Sequence, residues 1–143
     1  MTISLRPMND TAFPLLHLQT EHTIAKLKHV VELPSKSAQL YSLTVTAAEI
    51  TLIAPSQFVN QHRALVINRE DNWHVIKFDT TFNFSAVGVL ARVAQVLAEH
   101  EVSILALSTF ATDYILVKQQ QIGRALIQLR QLGHNVTSVH QLA

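Results

Sequence analysis

Between His74 and His140 the spacing of apolar positions switches between the two-residue period of a strand and the 3.6-residue period of a helix. Residues 73–79 predict a strand. Phe84-Ser85-Ala86 then leads into a helix over about 87–99. Val87, Leu90, Ala94 and Leu97 line one face of that helix, and Val89, Val93 and Val96 line a second. Residues 102–108 and 112–118 read as strands joined by the turn Thr109-Phe110-Ala111. Residues 120–132 predict a helix striped by Ile122, Ala125, Leu126, Leu129 and Leu132, with Gly133 placed just beyond it as a C-cap. A strand over 135–140 closes the run. The order strand, helix, strand, strand, helix, strand predicts an α+β fold, a two-layer ferredoxin-like (βαββαβ) sandwich.

The first half carries a reduced version of the same order. Residues 26–33 alternate, with Leu27, His29, Val31 and Leu33 on one face, and Pro34 closes them as a strand. Residues 41–46 and 50–54 predict a hairpin turning at Ala47-Ala48-Glu49. Pro55 stops its second strand, and Ser56 is placed to cap a short helical turn through Phe58 and Val59. Residues 63–68 read as another strand, and Arg69-Glu70-Asp71-Asn72 as a polar turn. Two halves are therefore expected, an N-terminal one over 1–72 and a C-terminal one over 73–143, with the path of 1–24 open.

Two features suggest that the second half is packed against something else. Its first helix is apolar over most of its circumference, which calls for cover on more than one side. Its 102–108 strand is apolar on both faces, with Val102, Ile104 and Ala106 opposite Leu105 and Leu107. A neighbouring half, a second protomer or an unidentified protein partner would supply that cover.

Composition narrows the function classes. Charged residues make up 15% of the 143 positions, against roughly 25% in an average globular protein, so little charge is available to coat a surface. The formal net charge is +1, which offers no field for a nucleic acid backbone or an anionic membrane. The chain has no cysteine, so thiolate metal sites, disulfides and cysteine nucleophiles drop out. Residues 1–14 carry Arg6, Asp10 and two prolines rather than the apolar core of a signal peptide. The most apolar helical stretch, 87–98, is too short to span a bilayer. A cytoplasmic setting is the expectation.

The candidate chemistry is that of binding. The segment Phe82-Asn83-Phe84-Ser85-Ala86-Val87-Gly88 offers backbone N–H groups at a helix start, where a carboxylate or phosphate is favoured. Asn83 and Ser85 would either cap that helix or reach a ligand. In Ser108-Thr109-Phe110-Ala111-Thr112-Asp113-Tyr114, Asp113 would either hold a cationic group or bond its own turn. Eight histidines are scattered without the spacing of a ligand pair and are read as solvated or hydrogen-bonded, so no metal and no cofactor is assigned. Catalytic constellations are missing too: there is no Gly-Xaa-Ser-Xaa-Gly elbow and no phosphate-cradling glycine loop. Acylphosphatases share the outline, but residues 80–88 lack their arginine. RNA-recognition modules share it as well, but 104–106 lacks their stacking aromatics.

Phe84-Ser85-Ala86-Val87-Gly88-Val89-Leu90-Ala91 and the run from Ser103-Ile104-Leu105-Ala106 through Asp113-Tyr114-Ile115-Leu116-Val117 resemble a family of small tandem ACT-domain proteins related to the cytosolic arginine sensors of animals. Gly133-His134-Asn135-Val136 and, more loosely, Glu49-Ile50-Thr51-Leu52-Ile53-Ala54-Pro55 extend the match. The resemblance implies two ACT-like halves, no catalysis, and binding of an amino acid between halves or protomers, with output through a partner or a change of assembly. By the same resemblance Phe84, Ser85, Ala86, Val87 and Gly88 would take an α-carboxylate. Ser108, Thr109 and Phe110 would line the pocket, and Asp113 would face a cation. The chain departs from the family at Asn83, Val87 and Ala111, where aspartate, threonine and a second aspartate are usual. A basic amino acid, a neutral one or no ligand therefore all stay open, the last being a purely structural interaction module.

Overall fold

Two long antiparallel strands form the spine of the molecule, and each serves both halves of the chain. The structure, a computed structural model, describes residues 12–80 and 88–142. Strand β1 is Pro14–Leu27, β2 is Ser42–Val45 and β3 is Ile50–Pro55. Helix α1 (Ser56–Gln61) and a 3-10 turn (Arg63–Leu65) lead to β4, Val66–Phe78. Then follow α2 (Val89–Glu99), β5 (Ile104–Ser108), β6 (Asp113–Lys118), α3 (Gln119–Gln131) and β7 (Asn135–Val139). All seven strands join one sheet in the order β2-β3-β1-β4-β6-β5, with β7 added parallel to the first part of β1. The α+β, ferredoxin-like expectation holds. One addition was not foreseen: the segment Pro14–Leu18 of β1 lies between β4 and β7.

The spine is bent rather than straight. β1 spends more residues than β4 between the pairs Leu18↔Val75 and His22↔Trp73, and the excess reverses between His22 and Ile24. Such bulges turn a strand and re-aim its side chains. On β4 the extra residue falls beside Asn72, whose φ of 67° is left-handed, a conformation that asparagine tolerates. Arg69–Asn72 is therefore the bulged interior of a strand, not the polar turn its charges suggest. The bulge exposes those polar side chains without breaking the ladder.

Three more expectations are corrected in the first half. The alternating stretch 26–33 is not a strand: β1 ends at Leu27, and the chain leaves the sheet after Lys28, whose N–H donates to Leu65 O at 2.8 Å. Val31 and Leu33 still alternate because they pack on the apolar cluster beneath α1. The strand expected at 63–68 begins only at Val66, after the 3-10 turn. Ser56 does not cap α1 with its side chain: Pro55 is the N-cap and belongs to β3. The Ser56 hydroxyl bonds instead to Thr23 Oγ1 at 2.7 Å. The β2–β3 hairpin, β6 and α3 lie within a few residues of expectation. Gly133, at φ 101°, ends α3 as read, with Gly133 N–H donating to Arg130 O and His134 N–H to Leu129 O.

Alternation along the strands assigns the faces. Leu15, Ile76, Phe78, Ile115 and Val117 lie under α2 and α3, whose Val93, Leu97, Ala125 and Leu129 are wholly buried against them. Ala25, Leu27, Leu52 and Ala54 lie similarly under α1 with Val59. The reverse face carries Leu18, Ile53, Trp73, Val75 and Leu116 and, among the described residues, has no helix over it. Leu40 and Leu142 cover part of it, from two segments joined by Leu142 N–H to Ala38 O at 2.7 Å and Gln39 Nε2 to His140 O at 2.9 Å. Strand β5 is a sheet edge, with Leu105 and Ala106 exposed. Its two apolar faces serve two clusters, Ile104 packing on the helix side and Leu107 on the reverse face.

Candidate functional site

The turn between β5 and β6 is built by its own hydroxyls. Register places Ser108 opposite Asp113, and Ser108 Oγ donates to Asp113 Oδ1 at 2.6 Å. Thr109 closes the turn twice on Thr112 O, through its N–H at 2.9 Å and its hydroxyl at 3.1 Å. Thr112 Oγ1 donates to Phe78 O, which ties the turn to the last residue of β4. Phe110 at the tip is 88% exposed.

Of the expected site residues, the structure brings Ser108, Thr109, Phe110 and Asp113 into this one turn. Gly88 stands at the N-cap of α2 with φ 87°, and its carbonyl accepts from Arg92 N–H at 2.9 Å. Val89 and Leu90, which follow it, pack on the cluster that contains Phe78, so α2 opens on the sheet face that Asp113 shares with Ile115 and Val117. Asn83, Phe84, Ser85, Ala86 and Val87 lie outside the described residues.

Sequence reading missed a cleft on the other side of the same turn. Lys77, Asp79, Thr80, Ala111 and Thr112 line a space of about 200 Å³. Lys77 lies on the strand face of Trp73 and Val75, so this cleft opens on the helix-free side. The signal was available in part, since Lys77 and Asp79 share one face of a strand end.

Four histidines, His17, His22, His74 and His134, are hydrogen-bonded in or beside the core, and His29 and His100 are exposed, which fits the expectation of solvated or hydrogen-bonded rings. His17 Nδ1 lies 2.9 Å from Ser138 Oγ and its Nε2 lies 2.9 Å from His74 Nδ1, linking β7, β1 and β4. Burial first, then His74 and Arg130, push His17 down from 6.5 to about 4. Burial also lowers His74, against an opposing pull from Glu21. His22 accepts Leu40 N–H on Nε2 at 3.3 Å and holds Thr20 O at 2.9 Å with Nδ1, which fixes its neutral tautomer. His134 Nδ1 accepts Phe13 N–H at 3.4 Å. Among the described residues no group of three or more His, Cys, Asp or Glu is arranged to hold a metal ion. None of the helices among them is long and apolar enough to cross a membrane.

Residues 68–131 match the ACT domain family. The chain is similar to the cytosolic arginine sensor for mTORC1 subunit 1 of Rattus norvegicus, 38% identical over 127 residues, 78% of this chain and 35% of that protein. The Homo sapiens counterpart is 36% identical over 137 residues, 85% of this chain and 38% of its own length. The chain thus spans little more than a third of the relatives it matches. In fold it is similar to a protein of Agobacterium tumefaciens, with a TM-score of 0.75 at 23% identity over 92% of this chain and 97% of that one. It is also similar in fold to the regulatory subunit of aspartate kinase from Thermus thermophilus, with a TM-score of 0.58 at 9% identity over 85% and 97% of the two chains. With the sheet order and the matched stretch in agreement, the chain carries an ACT domain over residues 68–131 and is similar over most of its own length to the cytosolic arginine sensors.

Proposed function

We propose that this chain is a non-catalytic regulatory module that binds an amino acid beside the β5–β6 turn and signals through a protein partner or a change of assembly. The observation that carries the reading is Asp113, a carboxylate on the sheet face where α2 opens, inside the stretch that matches an ACT domain. The name of its relatives, cytosolic arginine sensors, supports both the ligand class and a cytosolic setting. Two ACT-like halves, 1–72 and 73–143, fit the way β1 and β4 each contribute one end to either side of the sheet. Ligand binding would act by favouring one arrangement of those halves, or of protomers, over another.

Asn83, Val87 and Ala111 remove acidic and hydroxyl groups that the family usually has, and this favours a neutral amino acid over arginine. A thermal-shift screen of the full chain against the free amino acids tests the reading. A ligand at about a hundred times its dissociation constant stabilises by roughly 2.7 kcal/mol. If no amino acid moves the melting temperature at millimolar concentration, the sensor reading falls. A module that only interacts with other proteins then remains, with Asp113 serving its own turn through Ser108.

A further inference from the structure

The sheet narrows to two strands at its middle. β7 pairs with β1 as far as Leu18, and β3 takes up β1 again only at His22. On the other flank β6 reaches β4 at Trp73 and goes no further. Between those levels, among the described residues, β1 and β4 alone cross from one side of the sheet to the other. Their own ladder is thinnest there. Between Leu18↔Val75 and Ile24↔Glu70 the one matched pair is His22↔Trp73, and Asn72 beside it stands at φ 67°. A two-stranded ribbon twists more than a broad sheet and holds its shape poorly alone.

The two faces of this waist are held differently. On the helix side the apolar residues fall into two separate clusters, one under α2 and α3 and one under α1. Between them lie polar groups, each tied within its own side: Thr23 to Asp71 and Ser56, and His17 to His74 and Ser138. On the reverse face one cluster runs across the waist, with Leu40 and Ile53 from one side against Leu18, Val75 and Leu116 from the other. Leu40 belongs to a strap outside every helix and strand. Its residues 38–40 join the 140–142 tail through Leu142 N–H to Ala38 O at 2.7 Å and Gln39 Nε2 to His140 O at 2.9 Å. Lys118 also meets Glu70 across the waist at 3.4 Å, but Glu70 is 66% exposed, and such pairs add little. Trp73 Nε1 in the sheet and Gln39 Oε1 in the strap are buried with no hydrogen-bond partner among the described residues. The closed strap therefore leaves a donor and an acceptor that water would satisfy if it opened.

We propose that the waist is a hinge and that the strap is its brace. The two sides swing relative to one another by bending β1 between Leu18 and Ile24 and β4 between Glu70 and Val75, while each keeps its own helix-side core. Hinges absorb a change of backbone direction over a few residues, and Asn72 with the two opposed bulges supplies them. The strap ties a loop of one side to the tail of the other over the reverse face, and so sets the angle. Displacing the 140–142 tail releases that angle and uncovers Trp73. The hinge goes beyond the regulatory reading above, gives it a moving part, and stands or falls with no ligand present.

The full chain can report its own angle, because it has no cysteine and a single tryptophan, Trp73. Gln61→Cys and Gln131→Cys place spin labels at the exposed far ends of α1 and α3, and pulsed electron resonance reads the distance between them. Gln39→Ala with Leu142→Pro removes both strap hydrogen bonds, whereas Leu142→Met keeps them. The double variant is expected to shift or broaden the distance distribution and to raise acrylamide quenching of Trp73 roughly twofold. Hydrogen exchange at Leu52, Ile115 and Leu129 is expected to stay protected. Gln39→Ala alone should give a smaller change of the same kind, and Leu142→Met none. An unchanged distance in the double variant overturns the hinge even where quenching rises, since the strap then opens over a rigid sheet. Loss of protection at Leu52 and Ile115 together, in Gln39→Ala as in the double variant, overturns it as well, because the two sides are then one cooperative core. An equal shift in Leu142→Met overturns the brace.

Discussion

His17 on β1 and His74 on β4 are joined ring to ring, Nε2 to Nδ1 at 2.9 Å, inside the sheet that both halves of the chain share. One nitrogen must donate and the other accept, so the contact needs at least one neutral ring. Burial and the Arg130 charge press His17 toward neutrality, and its pKa falls from 6.5 to about 4. In the unfolded chain His17 takes up a proton near pH 6.5, while in the fold it does so only near 4. Stability is therefore full above 6.5 and declines as pH falls from 6.5 to about 4, by about 3 kcal/mol for this group. Urea midpoints measured across that window should show the slope, and His17→Gln should reduce it, leaving the share of His22, His74 and His134, which burial also lowers. A slope identical in the variant would assign the effect elsewhere.

Thr23 fixes the bulge on the other arm of β1. It is wholly buried, donates to Asp71 Oδ1 at 2.6 Å and takes the Ser56 hydroxyl at 2.7 Å, so three segments meet on one oxygen. Arg69 grips the same carboxylate, Nη2 to Oδ1 at 2.7 Å. The Arg69 hydrogen bonds first, and the Thr23 bond second, hold the Asp71 carboxyl below its usual range. The stability linked to this depressed pKa is present above 3.8 and is lost as pH falls through the lower folded value. Thr23→Val keeps the shape and removes both hydrogen bonds. It should cost about 2 kcal/mol and weaken the acid dependence below pH 4, both readable by urea titration.

These two arms also explain what the sequence could not disclose. The second half was legible because α2, α3, β6 and the turn at 109–112 are local and strictly periodic. Strand β1 was hidden because its buried face mixes Leu15 and Ala25 with His17 and Thr23, and its bulge at 18–22 interrupts the two-residue period. Beyond Leu27, Val31 and Leu33 kept the alternation going by packing under α1, which mimics a strand outside the sheet. The Ser108–Asp113 pair was readable from one turn. The cleft was not, since it needs the turn and the end of β4 side by side, a contact made by Thr112 and Phe78 across the chain.

Gly133 gives a test of backbone conformation separate from packing. Its φ of 101° lies where L-residues are strained, yet a Cβ there would meet nothing within 4 Å. Gly133→Ala should thus pay only the conformational cost, about 1 kcal/mol, or about 3 °C in melting temperature for a chain of this length. A much larger loss would mean that the end of α3 rearranges and takes β7 with it.

Ser108 and Asp113 separate stability from binding most directly. Their 2.6 Å bond is exposed and joins two strands already paired by their backbones. Exposed contacts of this kind contribute little, so Asp113→Ala should change stability by no more than about 0.5 kcal/mol. Ser108→Ala should be equally mild, and it releases the Asp113 oxygen that the hydroxyl now occupies. If Asp113 serves a ligand's cationic group, Ser108→Ala keeps that response and Asp113→Ala abolishes it, a split that thermal shift reads directly. Equal loss in both variants would mean that the bond shapes the turn and Asp113 does not meet the ligand itself.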